Sequence, residues 1–429
     1  MSMHDCEIDL KNITKIEGHA NLYVKVKEGA VREVRFEISE NKRFFEKIVR
    51  GRNVKDVPLM VSRICGFCSA SHLLTATEAI ENAYGIELSG QNLALRKIFV
   101  NGEVIKSHSL HLYFLALPDY LGRGSILDFG EGEHEFIHTA LRLKEVGSRM
   151  LELIGGRSHH SINVYPGGIK YLPSNEELQK AKKQAEEAKK DAYETIRLFS
   201  EFGNGFGRPT DYVALVNDDY NFVDGSISSA SGISIAEKDY LKHVQEFIVP
   251  YSLAKQAKFE GKEFMVGALA RMNLNRHNLS GETKKLAKEF GFKFPSHSAF
   301  MNNIAQAVEI YNCLDSTARI IDSLKIRHEA LPKLKKPKME HGIGVTEAPR
   351  GTLYHEYRIS KDGTVKDGNI IVPTAQNART IEKDIEHYIP SLLGLPQEKI
   401  ELELEKLVRA YDPCISCATH FLKVKWENG

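Results

Sequence analysis

Apolar and polar residues alternate along the N-terminal stretch. Leu22-Tyr-Val-Lys-Val26 and Val31-Arg-Glu-Val-Arg-Phe-Glu-Ile38 send side chains to two faces in turn, with Lys27-Glu-Gly-Ala30 as the turn between them. Residues 5–38 therefore predict a β-hairpin region. The period then changes. Residues 73–86 and 91–117 repeat apolar positions at helical spacing, and 131–155 does so until Gly155-Gly156 stops it. Residues 160–168 predict a loop or short hairpin around Pro166-Gly-Gly168. Ser174-Asn-Glu-Glu177 is a capping signal for a Lys/Glu/Ala-rich helix over 174–202, a solvated helix with no chemistry of its own. Residues 210–270 predict short strands and loops, with Gly and Ser concentrated at 224–234. A long helix is predicted over 298–331, with Ile304, Val308, Tyr311, Leu314 and Ile321 at core spacing and Cys313 as a buried apolar residue among them. A Pro/Lys-rich connector at 331–338, a hairpin around Lys361-Asp-Gly363, and helices over 376–388 and 397–409 lead into a final loop. The whole predicts an α+β chain, predominantly helical: a core of long helices, an N-terminal β-hairpin region and small peripheral β elements.

Composition narrows the classes. The chain has 429 residues, 42% of them hydrophobic and 27% charged, with a net charge of +1. No polyanion-binding field is indicated, so nucleic acid is not an expected partner. No run approaches the ~18 apolar residues of a membrane span. The N-terminus MSMHDCEIDLKN is polar and acidic, unlike a signal peptide, and a cytoplasmic location is expected. Six cysteines do not make a disulfide scaffold in a chain of this length.

Four of those cysteines form two CxxC pairs, Cys65-Gly-Phe-Cys68 and Cys414-Ile-Ser-Cys417. Cys65 and Cys414 lie 349 positions apart. Four thiolates bind zinc, a single iron, an Fe–S cluster or nickel. Zinc modules place their pairs about 15–20 residues apart, so the spacing disfavours a zinc clip. A thioredoxin-like redox pair would need only one CxxC at a helix start. A non-catalytic, zinc-stabilised structural subunit of a redox complex is the competing class. Either way, pairs this distant require one interlocked domain, expected over 1–420.

The flanking residues add a resemblance. Arg63-Ile-Cys-Gly-Phe-Cys-Ser-Ala-Ser-His72 and Asp412-Pro-Cys-Ile-Ser-Cys-Ala-Thr-His420 together resemble the large, catalytic subunit of the [NiFe] hydrogenases. Five further stretches follow in the family's order: Thr14-Lys-Ile-Glu-Gly-His19; Arg43-Phe-Phe-Glu46 with Gly51-Arg52; His160 with Pro166-Gly-Gly168; Glu347-Ala-Pro-Arg-Gly351 with His355; and Val372-Pro-Thr-Ala-Gln-Asn377. Any one is weak. Seven in order, across residues 14–420, are highly specific, and they resemble most the soluble sulfhydrogenase and NAD(P)-linked type.

The resemblance implies a reaction and a site. The reaction is H2 ⇌ 2H⁺ + 2e⁻, which needs heterolysis with a base for the proton. Nickel is expected on Cys65, Cys68, Cys414 and Cys417. Cys68 and Cys417 would also bridge to an iron carrying CO and cyanide. Cys414 is a candidate base and Glu17 the first relay carboxylate, which must lie within about 3 Å of a cysteine sulfur to serve. Four thiolates, Ni(II), Fe(II) and two cyanides sum to a formal charge of about −2, and Arg350 is the expected counter-charge. His72 is expected to donate to a bridging sulfur, and Asp412 to supply a carboxylate beside the metals. Glu46 and His420 are expected to hold a magnesium or iron ion near the C-terminus. Two departures stand out: Ser107 falls where many relatives carry an acid above the site, and Ser161 follows His160 where proline is common. Residues 421–429 resemble the extension that a maturation endopeptidase removes after nickel insertion. Cys6 and Cys313 cannot ligate a separate all-cysteine cluster, so an Fe–S small subunit is the implied electron partner, with further flavin and Fe–S subunits in the soluble type.

Overall fold

The computed structural model describes residues 6–41, 43–203 and 205–419. Long helices dominate it, as the apolar periodicity predicts. Gly90–Leu110, His134–Gly155, Asn175–Ser200 and Met301–Ser323 pack side by side over an interior that includes Leu95, Phe99, Leu143, Leu151, Ile196, Phe199, Val308 and Leu314. The capping signal before Asn175–Ser200 is realised in both directions: Ser174 Oγ accepts from Glu177 N (3.2 Å) and Glu177 Oε2 from Ser174 N (2.8 Å). Ala181, Ala185, Ala188 and Ala192 form the buried stripe of that otherwise solvated helix.

A second apolar interior forms where the Ser69–Tyr84 helix meets a three-stranded antiparallel sheet, His341–Ala348, Gly351–Ile359 and Val365–Ile371. Helix and first strand touch backbone to backbone. A Cβ on Gly344 would lie 2.2 Å from the Thr75 carbonyl oxygen, so only glycine admits this approach. The same packing brings the start of the helix, at Cys68, beside the turn that carries Pro349 and Arg350.

The N-terminal region forms the antiparallel strands Cys6–Leu10, Ala20–Lys27 and Ala30–Ile38. The middle strand buries Ala20, Leu22, Val24 and Val26 on one face, as the alternation predicts. This sheet rests on the Pro373–Tyr388 helix, whose Glu382 accepts from Phe36 N at 3.1 Å. The mixed segment contributes Asp211–Val216, Ser226–Ser229, Ser234–Ile235 and Phe264–Met265 to a small sheet with one parallel pairing.

Two elements depart from prediction. The helix expected over 91–117 widens at His111–Ala116 into a π-helical turn. Pro118 follows and has no N–H to give the residue four before it, so the ordinary ladder fails there. The helix expected over 298–331 ends at Ser323. Beyond it Gln91 takes the Arg327 backbone on both sides, Oε1 from the N–H (2.7 Å) and Nε2 to the carbonyl (2.9 Å), and so holds that segment outside the helix.

Gly344→Ala is expected to destabilise the chain by about 1–3 kcal/mol through overpacking against a backbone carbonyl. Urea denaturation measures it, and an unchanged midpoint would contradict the close approach.

Candidate metal centre

Each cysteine is placed by a different backbone device. The turn Ser62–Ile64 ends in an extended Cys65, and His160 Nδ1 bonds the Ser62 carbonyl at 2.9 Å to hold that turn. Cys68 caps the Ser69–Tyr84 helix. A helix start leaves N–H groups unpaired. Glu103, from the Gly90–Leu110 helix, takes them: Oε1 accepts from Ala70 N at 2.6 Å, and Oε2 from Ser71 N at 2.9 Å and from the Ser71 hydroxyl.

The C-terminal pair arrives from the Gln397–Ala410 helix. Asp412, at φ 50°, turns the chain sharply before Pro413. Thr374 Oγ1 accepts from Cys414 N (2.8 Å), the Glu17 carbonyl from Ile415 N (2.9 Å), and Glu17 Oε2 from Ser416 N (2.9 Å). Gly18 has φ 88°, and a Cβ there would lie 2.7 Å from Ile415 Cβ. The N-terminal loop thus lies directly on the C-terminal motif.

The four Sγ atoms of Cys65, Cys68, Cys414 and Cys417 lie within 4.8 Å of one another, all buried. Cys414 Sγ is 3.3 Å from Cys65 Sγ and 2.9 Å from Cys417 Sγ. Burial pushes the Cys414 and Cys417 thiols up, while hydrogen bonds from the neighbouring thiols pull Cys65 well down. Among the described residues this is the sole cluster of three or more metal-ligating side chains. Four soft sulfur donors with no carboxylate or imidazole among them accept nickel, as they also would zinc or iron.

Arg350 is buried against this cluster. Its Nε donates to the Asp412 carbonyl (2.8 Å) and to Asp412 Oδ1 (3.1 Å), and Nη2 lies 2.8 Å from the same Oδ1. Nη1 donates to Ser107 Oγ (3.2 Å) and Cys68 Sγ (3.5 Å). Burial opposes the charge, but Asp412 and the cysteines outweigh it and hold the guanidinium more basic than usual. On the other side of the cluster Glu17 Oε2 sits 3.2 Å from Cys414 Sγ, close to the reach a relay carboxylate needs. His72 lines the same enclosed space as Cys68, Arg350, Cys414 and Cys417. Its Nδ1 bonds His355 Nε2 at 3.0 Å, and His355 Nδ1 bonds Tyr357 OH at 2.6 Å, so its ring is oriented through a buried chain.

Glu46 lies elsewhere. Its Oε1 accepts from Lys255 Nζ (3.0 Å) and Ile370 N (3.1 Å). Its expected partner His420, like residues 421–429, falls outside the described residues.

Two supports, Glu103 and Arg271, escaped the sequence reading, and Thr374 was met there only as part of the Val372-Pro-Thr-Ala-Gln-Asn377 string, without its hold on Cys414. Arg271 is fully buried. Its Nε and Nη2 each reach Glu309 at 2.7 Å and Nη1 reaches Glu347 at 2.7 Å, while the Ala348 and Pro349 carbonyls accept at 3.2 and 2.9 Å. It therefore pins the turn that presents Arg350. A signal existed: a basic residue inside the apolar run 264–272 and an acid between Val308 and Ile310 demand burial with a partner.

Residues 43–137 and 224–420 match the family model described as nickel-dependent hydrogenase. The sulfhydrogenase 2 alpha subunit of Pyrococcus furiosus is 35% identical over 97% of this chain and 100% of its own length. The sulfhydrogenase 1 alpha subunit of the same organism is 33% identical over 97% and 98%. The crystal structure of an NAD+-reducing [NiFe]-hydrogenase in the H2-reduced state superposes with a TM-score of 0.86 at 25% identity, covering 97% of this chain and 99% of that one. The chain belongs to the nickel-dependent hydrogenases, oxidoreductases acting on molecular hydrogen, and is the large, catalytic subunit of a [NiFe] hydrogenase.

Glu309 supplies a pH test of the buried network. Burial works to raise its carboxyl, but Arg271 wins and holds it at about 2, below the ordinary 4.5. The stabilisation this gives is complete above the ordinary value and is lost as pH falls toward 2. The stability gap between the wild-type chain and Glu309→Gln, measured in urea, is therefore expected to be constant near neutrality and to close as pH falls from about 4.5 to about 2. A gap that stays flat over that range contradicts the ion pair.

Proposed function

We propose that the four cysteines hold nickel, and that Cys68 and Cys417 share it with an iron carrying CO and cyanide. The observation that carries this reading is the convergence of four buried thiols with Arg350 on one side and Glu17 on the other. When bound, the metals supply the polarisation that splits H2. The protein's own residues then do three things. Cys414 and Glu17, 3.2 Å apart, form the first pair of sites for the released proton. Arg350 holds a permanent positive charge against the thiolates, with Asp412 setting its direction. His72, oriented by His355 and Tyr357, lines the same space as Cys68 and Cys417 and would donate to a bridging sulfur.

The rest of the reading concerns assembly. Glu46 and His420 are the candidate ligands of a magnesium or iron ion. Residues 1–420 act as one interlocked catalytic domain, and the match to the family model stops at residue 420, which supports removal of 421–429 by a maturation endopeptidase. Electrons leave to an Fe–S small subunit, with flavin and further Fe–S subunits beyond it. Arg63 and Gly66 are exposed on either side of buried Cys65, so the centre is one residue below the surface there. Phe45, Ile48, Leu59 and Met60 line a depression beside that loop, and Leu59 continues it toward Ile162 and Tyr171. This apolar face, beside the exposed Arg63 and Gly66, supports a redox subunit docked there. No described helix is long and apolar enough to cross a membrane, and a cytoplasmic location is the reading we adopt.

In the assembled enzyme Cys414→Ser is expected to abolish H2-dependent dye reduction and to lower bound nickel; activity retained with full nickel would refute the ligand assignment. The active wild-type enzyme is expected to show infrared bands of CO and cyanide and a large-subunit mass ending at His420. Absence of the bands removes the iron assignment, and an active form still carrying 421–429 removes the maturation step.

A further inference from the structure

Gln306 lies in the second turn of the Met301–Ser323 helix and is buried. Its Nε2 donates to Asp412 Oδ2 at 3.0 Å, and its Oε1 faces His111 Nδ1 at 2.5 Å. The other oxygen of Asp412, Oδ1, is the one that Arg350 holds. An ionised carboxylate only accepts, so the amide must turn its NH2 to Asp412 and its carbonyl to His111. His111 then donates from Nδ1. Its Nε2 lies 2.8 Å from the Arg409 carbonyl oxygen, which fixes the plane of the ring. The chain therefore runs in one direction, from ring N–H to amide to carboxylate, with the guanidinium on the far oxygen. His111 Nδ1 is 3.9 Å from Asp412 Oδ2.

The fold places these groups deliberately. His111 opens the π-helical turn that ends the Gly90–Leu110 helix, and such turns redirect a side chain that an unbroken helix would carry elsewhere. One turn before Gln306, Asn302 Nδ2 donates to the Ala410 carbonyl at 2.8 Å. One face of a single helix thus receives both the end of the Gln397–Ala410 helix and the carboxylate two residues before Cys414.

We propose that Gln306 is a positioning residue for the hydrogen reaction. By tying Asp412 Oδ2 it forces Oδ1 toward Arg350, and so sets the angle of the guanidinium over Cys68. Without that tie the carboxylate rotates, and Arg350 keeps its charge but loses its direction. The inference rests on the reading of Arg350 as the counter-charge of the centre.

Two substitutions separate the donor from the acceptor function. Gln306→Met keeps length and apolar bulk but offers neither group; Gln306→Glu keeps an acceptor for His111 and loses the donor to Asp412. In the assembled enzyme, nickel content and kcat and KM for H2 are measured for each, alone and combined with Arg350→Lys. Both variants are expected to keep full nickel and a KM within about twofold, and to lose about tenfold or more in kcat, because the lost interaction acts on the chemical step. In the Arg350→Lys background Gln306→Met is expected to cost less than about twofold further, since two residues acting through one group are not additive. Unchanged kcat in the Gln306 variants beside an impaired Arg350→Lys overturns the positioning role and leaves Arg350 standing. Losses that multiply overturn it too, as does loss of nickel in both variants, which would make Gln306 a folding residue. An Arg350→Lys enzyme of full activity overturns both readings together. Where Gln306→Met does not accumulate, the same outcomes are read on Gln306→Glu.

Discussion

A buried cluster of thiolates is tenable only if positive charge, from bound metal and from the protein around it, stands beside it. Water cannot screen the charge there, and the Coulomb term between groups a few ångströms apart grows as the effective dielectric falls. Arginine suits the role because its guanidinium does not give up its proton. Yet a buried arginine is itself costly unless its donors are matched. Arg350 directs Nε to the Asp412 carbonyl and carboxylate and Nη1 to Ser107 and Cys68, while Nη2, 2.8 Å from Asp412 Oδ1, is held by charge rather than by an aligned hydrogen bond. Much of the surrounding architecture follows from keeping it there. Arg271 ties down the carbonyls of the turn that carries it, Gln306 ties down the carboxylate that aims it, and Gly344 lets the strand leading into that turn lie on the cysteine helix.

The C-terminal motif is received by directional polar contacts from several distant segments. Asn302 takes the Ala410 carbonyl, Thr374 the Cys414 N–H, and Glu17 the N–H groups of Ile415 and Ser416. Arg43 donates from its side chain to the Ser416 carbonyl and from its backbone to the Thr419 carbonyl. Apolar packing alone would tolerate small slips of such a segment. Hydrogen bonds lose most of their worth within a few tenths of an ångström and some tens of degrees. A receiver built from them fixes the second cysteine pair against the first, which the chain itself cannot do across 349 residues.

The sequence carried the residues that converge at the centre more openly than their supports. Cys65, Cys68, Cys414, Cys417, Glu17 and Arg350 sit in short strings whose residue types are unusual together, so each string is readable without knowing what it faces. Glu103 and Gln306 sit among helix-compatible neighbours and acquire meaning only from partners 33 and 106 positions away. The long helices were legible because burial writes a period into the chain. The early end of the Met301–Ser323 helix was not, because Gln91, far away in sequence, decides it. The π-helical turn at His111 was hidden for a related reason: its apolar spacing is nearly that of an ordinary helix, and only Pro118 hints at the broken ladder.

Ser107 gives the charge arrangement its particular character. A carboxylate at that position would share Arg350 between two anions, one on each side. A hydroxyl at 3.2 Å accepts a hydrogen bond but contributes no charge, so Asp412 is the carboxylate among the described partners that opposes the guanidinium. More of the positive field then falls on Cys68, 3.5 Å from Nη1. Lys106, the neighbour of Ser107, is buried as well; burial holds its ammonium below its usual basicity, although Glu103, Cys68 and Cys65 favour the charge. The centre therefore lies in a more cationic surround than a second acid would allow. In such a surround the orientation of Asp412 carries more of the weight, because a single carboxylate decides where the charge of Arg350 is spent. That makes the amide of Gln306, which touches the far oxygen of that carboxylate, a place where a neutral side chain governs an electrostatic outcome.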